Sequence, residues 1–359
     1  DPFHPRRYRE LYRSEGQAQA RISGHEIDLK GLRDGAGAFG WEVRARIEDA
    51  RVRARFEVLV WSDIVRDSMA QTVTGTYLQL LRTGWIYVTS GALSRLVRMR
   101  KGPVLAALYP VVMLLGQLAL GVLLAWVVAR GLMALVPQAP GVIAGMIGVA
   151  FGLLLLRWFK RRDRRLFAYY LMHDFAHTAR HRGAYSPDME ARMTAFRHAI
   201  RAALEEDCDE VLVVGHSSGA HIAVSVMADL LREGLPRGGA ALSLLTLGQA
   251  IPMMSFLPEA GRLRADLSLL STAPDLTWVD VSAPGDGCSF ALCDPVSVSG
   301  LATPGKRWPL VLSAAFTRTL SPGRWRALRW RFFRLHFQYL CAFDQPGDYD
   351  YFAVTAGPQ

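Results

Sequence analysis

Hydrophobic residues are concentrated in the middle of the chain. Residues 103–129 contain no charged side chain, residues 142–156 contain none either, and a short turn at Pro137–Gly141 separates the two runs. An α-helix needs about 20 apolar residues to cross the hydrocarbon part of a bilayer. Both runs, with their polar flanks, meet this requirement better than they fit a pair of buried core helices. The pattern therefore predicts a transmembrane helical hairpin over residues 103–159.

Basic residues flank this hairpin on both sides. One cluster, RLVRMRK, lies at Arg95–Lys101, and another, KRRDRR, lies at Lys160–Arg165. The connecting turn is nearly uncharged apart from Arg130 near the far end of the first helix. Because basic flanks stay on the cytoplasmic side, we expect a two-helix protein of the inner (cytoplasmic) membrane. The hairpin tip would lie outside, with the rest of the chain and both termini in the cytoplasm.

Alternation and helical spacing predict the elements outside the hairpin. Residues 40–49 and 51–61 alternate apolar and charged side chains, as half-exposed strands do. Ser62 or Asp63 is placed to cap a long helix that continues into the membrane. After the hairpin, residues 186–206 have the pattern of an amphipathic helix, followed by strand-like and helix-like segments in turn. This order is typical of an α/β fold.

The charge and the hydrophobic content of the chain indicate which kinds of partner we expect it to have. The chain has 359 residues, a formal net charge of +10, 51% hydrophobic residues and a mean hydropathy of +0.14. A basic body beside a membrane segment suits anionic lipid headgroups, and no recognised nucleic-acid motif is present. Membrane lipids are therefore expected partners and nucleic acid is not, while a membrane-protein partner or a homo-oligomer stays open.

The four cysteines show no pairing pattern. Cys208, Cys288, Cys293 and Cys341 form no CxxC pair and have no histidine at metal-ligand spacing. We expect reduced, mostly buried thiols in a cytosol-facing protein, with a structural or regulatory role for Cys288 and Cys293 as the alternative. No metal and no cofactor is expected.

A serine between two glycines follows a strand-like run. Residues 210–214 are nearly all apolar, Gly215–Gly219 reads G-H-S-S-G, and residues 220–232 have a helical pattern that Gly234 ends. Strand, G-x-S-x-G and helix in this order are typical of a nucleophilic serine. The alternative, a glycine-rich nucleotide-binding turn, is disfavoured because G-x-G-x-x-G and a P-loop lysine are both missing.

The chemistry of a nucleophile accounts for these residue types. Ser217 must project from a tight, strained turn, and Gly215 and Gly219 lack the Cβ atoms that would collide across it. The turn also places Ser217 at a helix N-terminus, where free N–H groups stabilise developing negative charge. The N–H of Ser218 is then expected to be one oxyanion donor.

At this motif the chain resembles the α/β-hydrolase family, as a membrane-anchored, bacterial-type serine esterase or lipase. The resemblance implies a mostly parallel sheet with helices on both faces, interrupted by the hairpin. It assigns residues 1–102 to the N-terminal part of the hydrolase-like domain and residues 103–159 to the hairpin. Residues 160–359 would form the C-terminal part, which carries the catalytic residues.

The family's order along the chain, serine then acid then histidine, implies the other site residues. Asp286 follows a predicted strand in a Pro-Gly turn, where the family's acid usually stands, with Asp280 and Asp294 as alternatives. His336 is the one histidine of nine that lies late enough in the chain. Ser217, Asp286 and His336 are therefore the expected catalytic residues.

Other parts of the site are less closely defined by the resemblance. The family's second oxyanion donor comes from a loop after an early strand, which here falls at or before Asp1. Asp1–Phe3 is therefore expected to be the tail of that loop. His216 is expected to point away from the nucleophile, and His221 is expected to pack inside the following helix.

The expected function is a membrane-anchored serine hydrolase that cleaves a lipid or lipid-like acyl ester through an acyl-enzyme. A membrane-bound acyltransferase on the same fold and a non-catalytic, hydrolase-like scaffold of a membrane complex are the alternatives. Residues 324–337, RWRALRWRFFRLHF, intersperse arginines with aromatic side chains. This composition suits a lipid interface, and it equally suits a surface helix that packs its aromatic rings on the sheet.

Overall fold

Alternating residues near the N-terminus form an antiparallel sheet. The computed structural model describes residues 5–31, 39–67, 72–99, 101–138, 140–163, 168–236 and 238–358. Strands β1 (Glu26–Gly31), β2 (Gly40–Ile47) and β3 (Ala50–Glu57) pair in the order β1-β2-β3. Alternate side chains of β2 are buried in a cluster with Tyr12 of helix α1 (Pro5–Ser23), because successive residues of a strand point to opposite faces. Both predicted strands are present.

A second sheet, which is entirely parallel, lies in the C-terminal half. Its strands are β4 (Glu210–His216), β5 (Ala241–Leu247), β6 (Thr277–Ser282) and β7 (Leu310–Ser313), in the order β4-β5-β6-β7. Because all four strands run in one direction, their carboxyl ends lie along a single edge. The predicted mixed α/β architecture is thus present. Strands β1–β3 form a separate sheet rather than further strands of the parallel one.

Helices make up most of the rest of the described chain. In chain order they are α2 (Ser62–Asp67), α3 (Val73–Thr89), α4 (Ala92–Met99), α5 (Lys101–Leu135), α6 (Gly141–Arg161), α7 (Ala168–Arg180), α8 (Pro187–Leu204), α9 (Gly219–Glu233), α10 (Ile251–Ser255), α11 (Gly261–Thr272), α12 (Pro295–Val298), α13 (Phe316–Thr319), α14 (Pro322–Leu328), α15 (Phe332–His336) and α16 (Tyr351–Ala356), with a 3₁₀ turn at Phe337–Leu340. Helix α8 is the predicted amphipathic helix. Ser186 caps it by accepting the N–H of Met189 at 3.3 Å.

The central strands of the parallel sheet, β5 and β6, are buried on both faces. On one face, Leu244 and Trp278 pack in a cluster with helices α8, α9 and α11. On the other face, Leu245 and Leu247 pack with Phe316 and with the C-terminal part of the chain. The neighbours Leu244 and Leu245 enter different clusters because strand side chains alternate. The sheet is therefore a buried support for the loops at its carboxyl edge.

The apolar run in the middle of the chain folds into two helices packed along each other. Leu108–Leu135 of α5 and the whole of α6 are long and apolar enough to cross a membrane. A Cβ atom at Gly152 would lie 2.6 Å from the carbonyl oxygen of Gly121, and one at Gly148 would overlap the carbonyl of Ala125. Small residues four apart on each helix therefore let the two backbones approach closely, as in membrane helix pairs.

The segment before the hairpin differs from its prediction. The sequence predicts one long helix from Ser62 into the membrane, and this is wrong, because a new helix, α3, begins after Thr72 and another, α4, begins after Gly91. The side chain of Thr72 caps α3 by accepting the N–H of Gly75 at 3.0 Å. Gly91, with a φ of +72°, separates α3 from α4. A capping threonine and a left-handed glycine thus divide a region that looks continuous in its hydrophobic pattern.

Candidate active site

The predicted nucleophile, Ser217, lies in a sharp turn between strand β4 and helix α9. Its φ of +57° puts it in the left-handed region, where a residue other than glycine costs about 1–3 kcal/mol. The N–H of Ser217 donates to the carbonyl of Leu247 on β5 at 3.0 Å, and its carbonyl accepts the N–H of Ala220 at 3.2 Å. The neighbouring strand and the first turn of α9 therefore hold the serine in a strained conformation.

The two glycines of the motif have different roles. A Cβ atom at Gly215 would lie 2.8 Å from the Cα of Ala220 and 3.0 Å from the Cβ of Ala223, so a side chain would force β4 and α9 apart. At Gly219 a Cβ would meet, in the described part of the chain, one atom within 4 Å, the Trp61 indole nitrogen at 3.8 Å. The predicted collision therefore exists at Gly215, and the prediction is wrong for Gly219.

The predicted acid and histidine meet at the carboxyl edge of the parallel sheet. Asp286 lies in the loop after β6, and His336 is the last residue of α15. The Nδ1 atom of His336 lies 2.7 Å from the Oδ2 atom of Asp286, and both side chains are buried. Asp286 also accepts the Tyr339 hydroxyl at 3.0 Å and the N–H of Cys288 at 2.8 Å.

This environment keeps Asp286 ionised. Burial by itself raises the pKa of Asp286, but attraction to His336 and the donated hydrogen bonds outweigh burial and lower the pKa below its ordinary value. A carboxylate at this position accepts a hydrogen bond from Nδ1–H, which leaves Nε2 of a neutral imidazole as the basic nitrogen. The pair has the arrangement by which a buried acid orients a general base.

The serine and the histidine face the same cavity without being hydrogen bonded to each other. Ser217 and His336 both line a cavity of about 1600 Å³, and the Nε2 atom of His336 is buried without a hydrogen-bond partner in the described residues. Gly248 follows Leu247, and a Cβ there would lie 3.0 Å from the Cε1 atom of His336. The imidazole thus packs against the strand end that holds the Ser217 backbone, with its basic nitrogen unused.

His216 contacts the candidate site, which the sequence interpretation did not predict. Its ring was expected to point away, but its centroid lies 4.7 Å from that of His336, and its Nε2–H donates to the His336 carbonyl at 3.0 Å. Burial, together with the charge of His336, lowers the pKa of His216 to about 3. His216 is therefore a neutral donor that holds the end of α15 against the turn. The one feature of the sequence that indicates this contact is the position of His216 next to Ser217.

The other candidate acids have structural partners. Asp280 is buried within β6 and accepts the Thr246 hydroxyl at 2.6 Å; burial raises its pKa to about 7. Asp294 caps α12 by accepting the N–H of Val296 at 2.9 Å, and it pairs with Lys306 at 2.8 Å. Of the three aspartates weighed from the sequence, Asp286 is the one that the structure brings against His336.

A segment after β3 approaches the nucleophile turn. Asp1–Phe3, the expected oxyanion loop, lies outside the described residues. Instead, residues 59–62 line the cavity together with Ser217 and Ser218. Arg192 of α8 holds this segment: its guanidinium binds both carboxylate oxygens of Asp63, at 2.9 and 2.7 Å, and the carbonyl of Val60. The hydrogen bond from Arg192 lowers the pKa of Asp63, so Asp63 forms half of an ion pair in addition to lying in the first turn of α2.

His221 packs inside helix α9, as the sequence interpretation expects. The hydroxyl of Tyr185 donates to the His221 carbonyl at 2.9 Å and lies 3.2 Å from its Nδ1 atom and 2.9 Å from the Ser225 hydroxyl. Burial lowers the pKa of His221 to about 3. The side chain is therefore a neutral part of the packing beside the turn.

The thiol of Cys288 lies near the acid and the histidine. One ligand atom each from Asp286, Cys288 and His336 lie within 4.8 Å of one another, a grouping that could hold a metal ion. Burial, and then the charge of Asp286, raises the pKa of the Cys288 thiol, whereas metal binding requires a thiolate. The hydrogen bond between Asp286 and His336 fits an acid–base pair better than it fits a metal site. Cys208 is exposed, which departs from the expectation of mostly buried thiols.

Comparisons of the chain with protein-family models, with curated proteins and with solved structures found no match.

Proposed function

We propose that this protein is a membrane-anchored serine hydrolase with an α/β-hydrolase-like body, which cleaves the acyl ester of a lipid or lipid-like substrate. The observation that carries the proposal is the buried hydrogen bond between Asp286 and His336 beside a left-handed serine, Ser217. A strained serine at a strand-to-helix turn and a carboxylate-oriented imidazole on one cavity are the parts that nucleophilic acyl transfer needs.

The proposed reaction assigns one role to each group. Nε2 of His336 removes the hydroxyl proton of Ser217 as the serine oxygen attacks the ester carbonyl. Asp286 keeps the other imidazole nitrogen protonated and stabilises the imidazolium ion. The imidazolium then protonates the leaving alcohol, and the acyl-enzyme remains. Water, deprotonated by the same Nε2, releases the acid and restores the serine.

Backbone N–H groups stabilise the oxyanion in this proposal. Ser218 precedes α9, a helix of 15 residues, whose N-terminus favours negative charge. The segment at residues 59–62 is the candidate for the second donor because it lines the cavity next to Ser217. The ion pair between Arg192 and Asp63 would then set the position of that donor.

The proposed location is the cytoplasmic membrane, with α5 and α6 spanning it. The basic flanks before α5 and after α6 assign the hairpin tip to the outside and the catalytic body to the cytoplasm. A cysteine introduced at Gln138, in the exposed turn between the helices, should react with a reagent that cannot cross the membrane. Protection of that cysteine in intact cells would contradict this orientation.

Covalent labelling tests the proposed nucleophile. A fluorophosphonate probe should label the full chain in bilayers or mild detergent, and Ser217→Ala should abolish the labelling because the attacking oxygen is gone. Ser218→Ala is the matched control: it removes a neighbouring hydroxyl but keeps the backbone N–H, so labelling should continue. A folded wild-type chain that does not react, or a labelled Ser217→Ala variant, would refute the hydrolase proposal.

A further inference from the structure

An exposed basic and aromatic surface lies directly before the catalytic histidine. Residues 324–334, here called the aromatic–arginine segment, span most of α14 and the start of α15. Its exposed arginines are Arg326, Arg329, Arg331 and Arg334. The side chain of Trp330 is 73% exposed and that of Phe332 42%.

The charges of this surface are not neutralised within the described chain. Arg324, at the start of the segment, pairs with Asp344 at 3.1 Å and Glu15 at 3.4 Å. The four exposed arginines, in contrast, make no ion pair with any described carboxylate. Exposed aromatic rings among unpaired arginines match the interface of an anionic bilayer, where the rings enter the headgroup region and the cations meet phosphate.

The same segment packs on the loop of the proposed catalytic acid. A Cβ atom at Gly285 would lie 2.7 Å from the Trp325 ring, and one at Gly287 would lie 3.1 Å from the Phe332 ring. These glycines flank Asp286, so the two aromatic rings cover the acid loop from outside. Helix α15 begins at Phe332 and ends at His336. The segment therefore connects an exposed surface to two of the three proposed catalytic residues.

The segment also contacts the beginning of the first membrane helix. The ring of Phe333 lies 6.2 Å from that of Tyr109, edge to face, and Tyr109 is the second residue of the apolar span Leu108–Leu135. Phe333 also lines the cavity that contains Ser217. One side chain thus touches both the end of a candidate membrane helix and the wall of the candidate active site.

We infer that the aromatic–arginine segment docks on the anionic headgroup surface of the membrane that α5 and α6 cross, and that lipid acyl chains reach Ser217 past Phe333 and Tyr109. The inference rests on the proposed membrane hairpin and deepens the proposed hydrolase function, since the substrate becomes a lipid presented from within the bilayer. An acidic protein surface is the competing occupant. The contact with Tyr109 favours lipid because it fixes the segment at the level where the span begins.

A label at position 330 tests docking without requiring activity. The full chain carrying Trp330→Cys and Cys208→Ser, labelled with the fluorophore NBD, is placed in phosphatidylcholine nanodiscs with or without phosphatidylglycerol. Asp275→Cys in the same background is the control, because Asp275 is exposed just before β6, at the sheet edge opposite the catalytic one. A Cys208→Ser chain without a new cysteine gives the background labelling.

Docking predicts a different response at the two positions. NBD at position 330 should be quenched by spin-labelled lipid, more strongly when phosphatidylglycerol is present, whereas NBD at position 275 should be quenched by aqueous iodide. Adding Ser217→Ala should not alter either result. If the label at 330 remains accessible to iodide in anionic bilayers, the docking inference is wrong, even if the chain hydrolyses esters.

Substrate preference tests the access route. Arg329→Ala with Arg331→Ala should lower the ratio of hydrolysis of a bilayer-embedded ester to that of a short soluble ester by about tenfold, since each basic residue near an anionic surface contributes to attraction. Arg21→Ala with Arg307→Ala, two exposed arginines without described ion pairs, is the control and should keep the ratio. Equal losses on both substrates would contradict membrane access and assign the segment a structural role. Absent hydrolysis by a docked wild-type chain would refute the proposed function while leaving docking intact.

Discussion

The hairpin and the parallel-sheet body use the same kinds of large apolar side chain in opposite ways. In the hairpin, Leu115, Val122 and Trp126 are 51–62% exposed, whereas Leu247 and Trp278 in the body are completely buried. Exposing such side chains to water is costly, and exposing them to lipid is not. The contrast is the one expected if the hairpin lies in lipid, as proposed, and the body lies in water.

The two regions also differ in where they hold strain and charge. The helices of the hairpin approach closely through small residues such as Gly148 and Gly152. The body, in contrast, keeps a left-handed serine and the buried pair Asp286 and His336 at one sheet edge. Strain and buried charge persist when the surrounding structure holds them, and a sheet whose central strands are buried on both faces supplies that support. The proposed chemistry therefore belongs to the body, and the proposed anchoring belongs to the hairpin.

The largest expected effect concerns the proposed catalytic residues at the carboxyl edge of the parallel sheet. Asp286→Asn should lower kcat for an acyl ester by about 10⁴-fold, because an amide favours the wrong imidazole tautomer and cannot stabilise the imidazolium. Asp294→Asn is the control, since Asp294 caps α12 and pairs with Lys306 instead. Steady-state kinetics give kcat for both variants, and circular dichroism verifies that both are folded. A fully active Asp286→Asn variant would remove Asp286 from the proposed mechanism.

A second prediction tests whether the close packing of α5 on α6 requires a small residue at Gly152. Gly152→Val should destabilise the helix pair by about 1–3 kcal/mol, because the new side chain meets the backbone of Gly121. Gly145→Val is the matched control in the same helix, since its Cβ would meet no described atom within 4 Å. Thermal unfolding in detergent compares them. Equal stability of both variants would contradict close packing of α5 on α6.

A third prediction concerns Asp280, a buried acid of the body that has no role in the proposed mechanism. Because the pKa of Asp280 is raised to about 7 in the folded protein, the folded state binds a proton that the unfolded state releases. Its contribution to stability is therefore present below about pH 4, decreases as the pH rises towards 7, and is absent above that.

The corresponding measurement is denaturant unfolding of wild type and Asp280→Asn at pH 5 and pH 8. The wild type should lose more stability between these values than the variant, with a difference on the order of 2 kcal/mol. Below about pH 4 the stability of both proteins should change alike, because neutral His216 and His221, with pKa values lowered to about 3, destabilise the folded state of either protein as the pH falls. Identical losses of stability between pH 5 and pH 8 would show that Asp280 is already ionised at pH 5 in the native protein.

A fourth, smaller effect should follow from replacing His216. His216→Phe keeps a ring against His336 but loses the hydrogen bond to its carbonyl, so kcat should fall about tenfold with little change in KM. His216→Gln can still donate and should restore part of the rate. Loss of stability without the split between kcat and KM would indicate a purely structural residue.

The smallest effect separates the strain at Ser217 from its chemistry. Ser217→Gly should raise the free energy of unfolding by up to about 1 kcal/mol, because glycine adopts a φ of +57° without penalty. Ser217→Ala keeps the Cβ atom and should not show this gain, although both variants are expected to be inactive. Melting temperatures of the two variants give the comparison. A destabilised glycine variant would mean that the turn is not strained.

The hydrophobic pattern by itself determined the two long apolar helices and the strand, turn and helix around Ser217. Each depends on residues that are close together in the chain: continuous apolar runs in the first case, and a strand, a tight turn and a helix start in the second. The same local information misled where a single cap decided the outcome, as at Thr72, which starts a new helix inside the apparently continuous one.

Only the tertiary structure shows which of Asp280, Asp286 and Asp294 contacts His336. Asp286 and His336 are 50 residues apart in the chain, and their hydrogen bond exists because the loop after β6 and the end of α15 converge at one sheet edge. The ring of His216 turns towards His336 for the same reason. Which side chains meet depends on strand order and on the packing of distant helices, and hydrophobic periodicity carries no record of either.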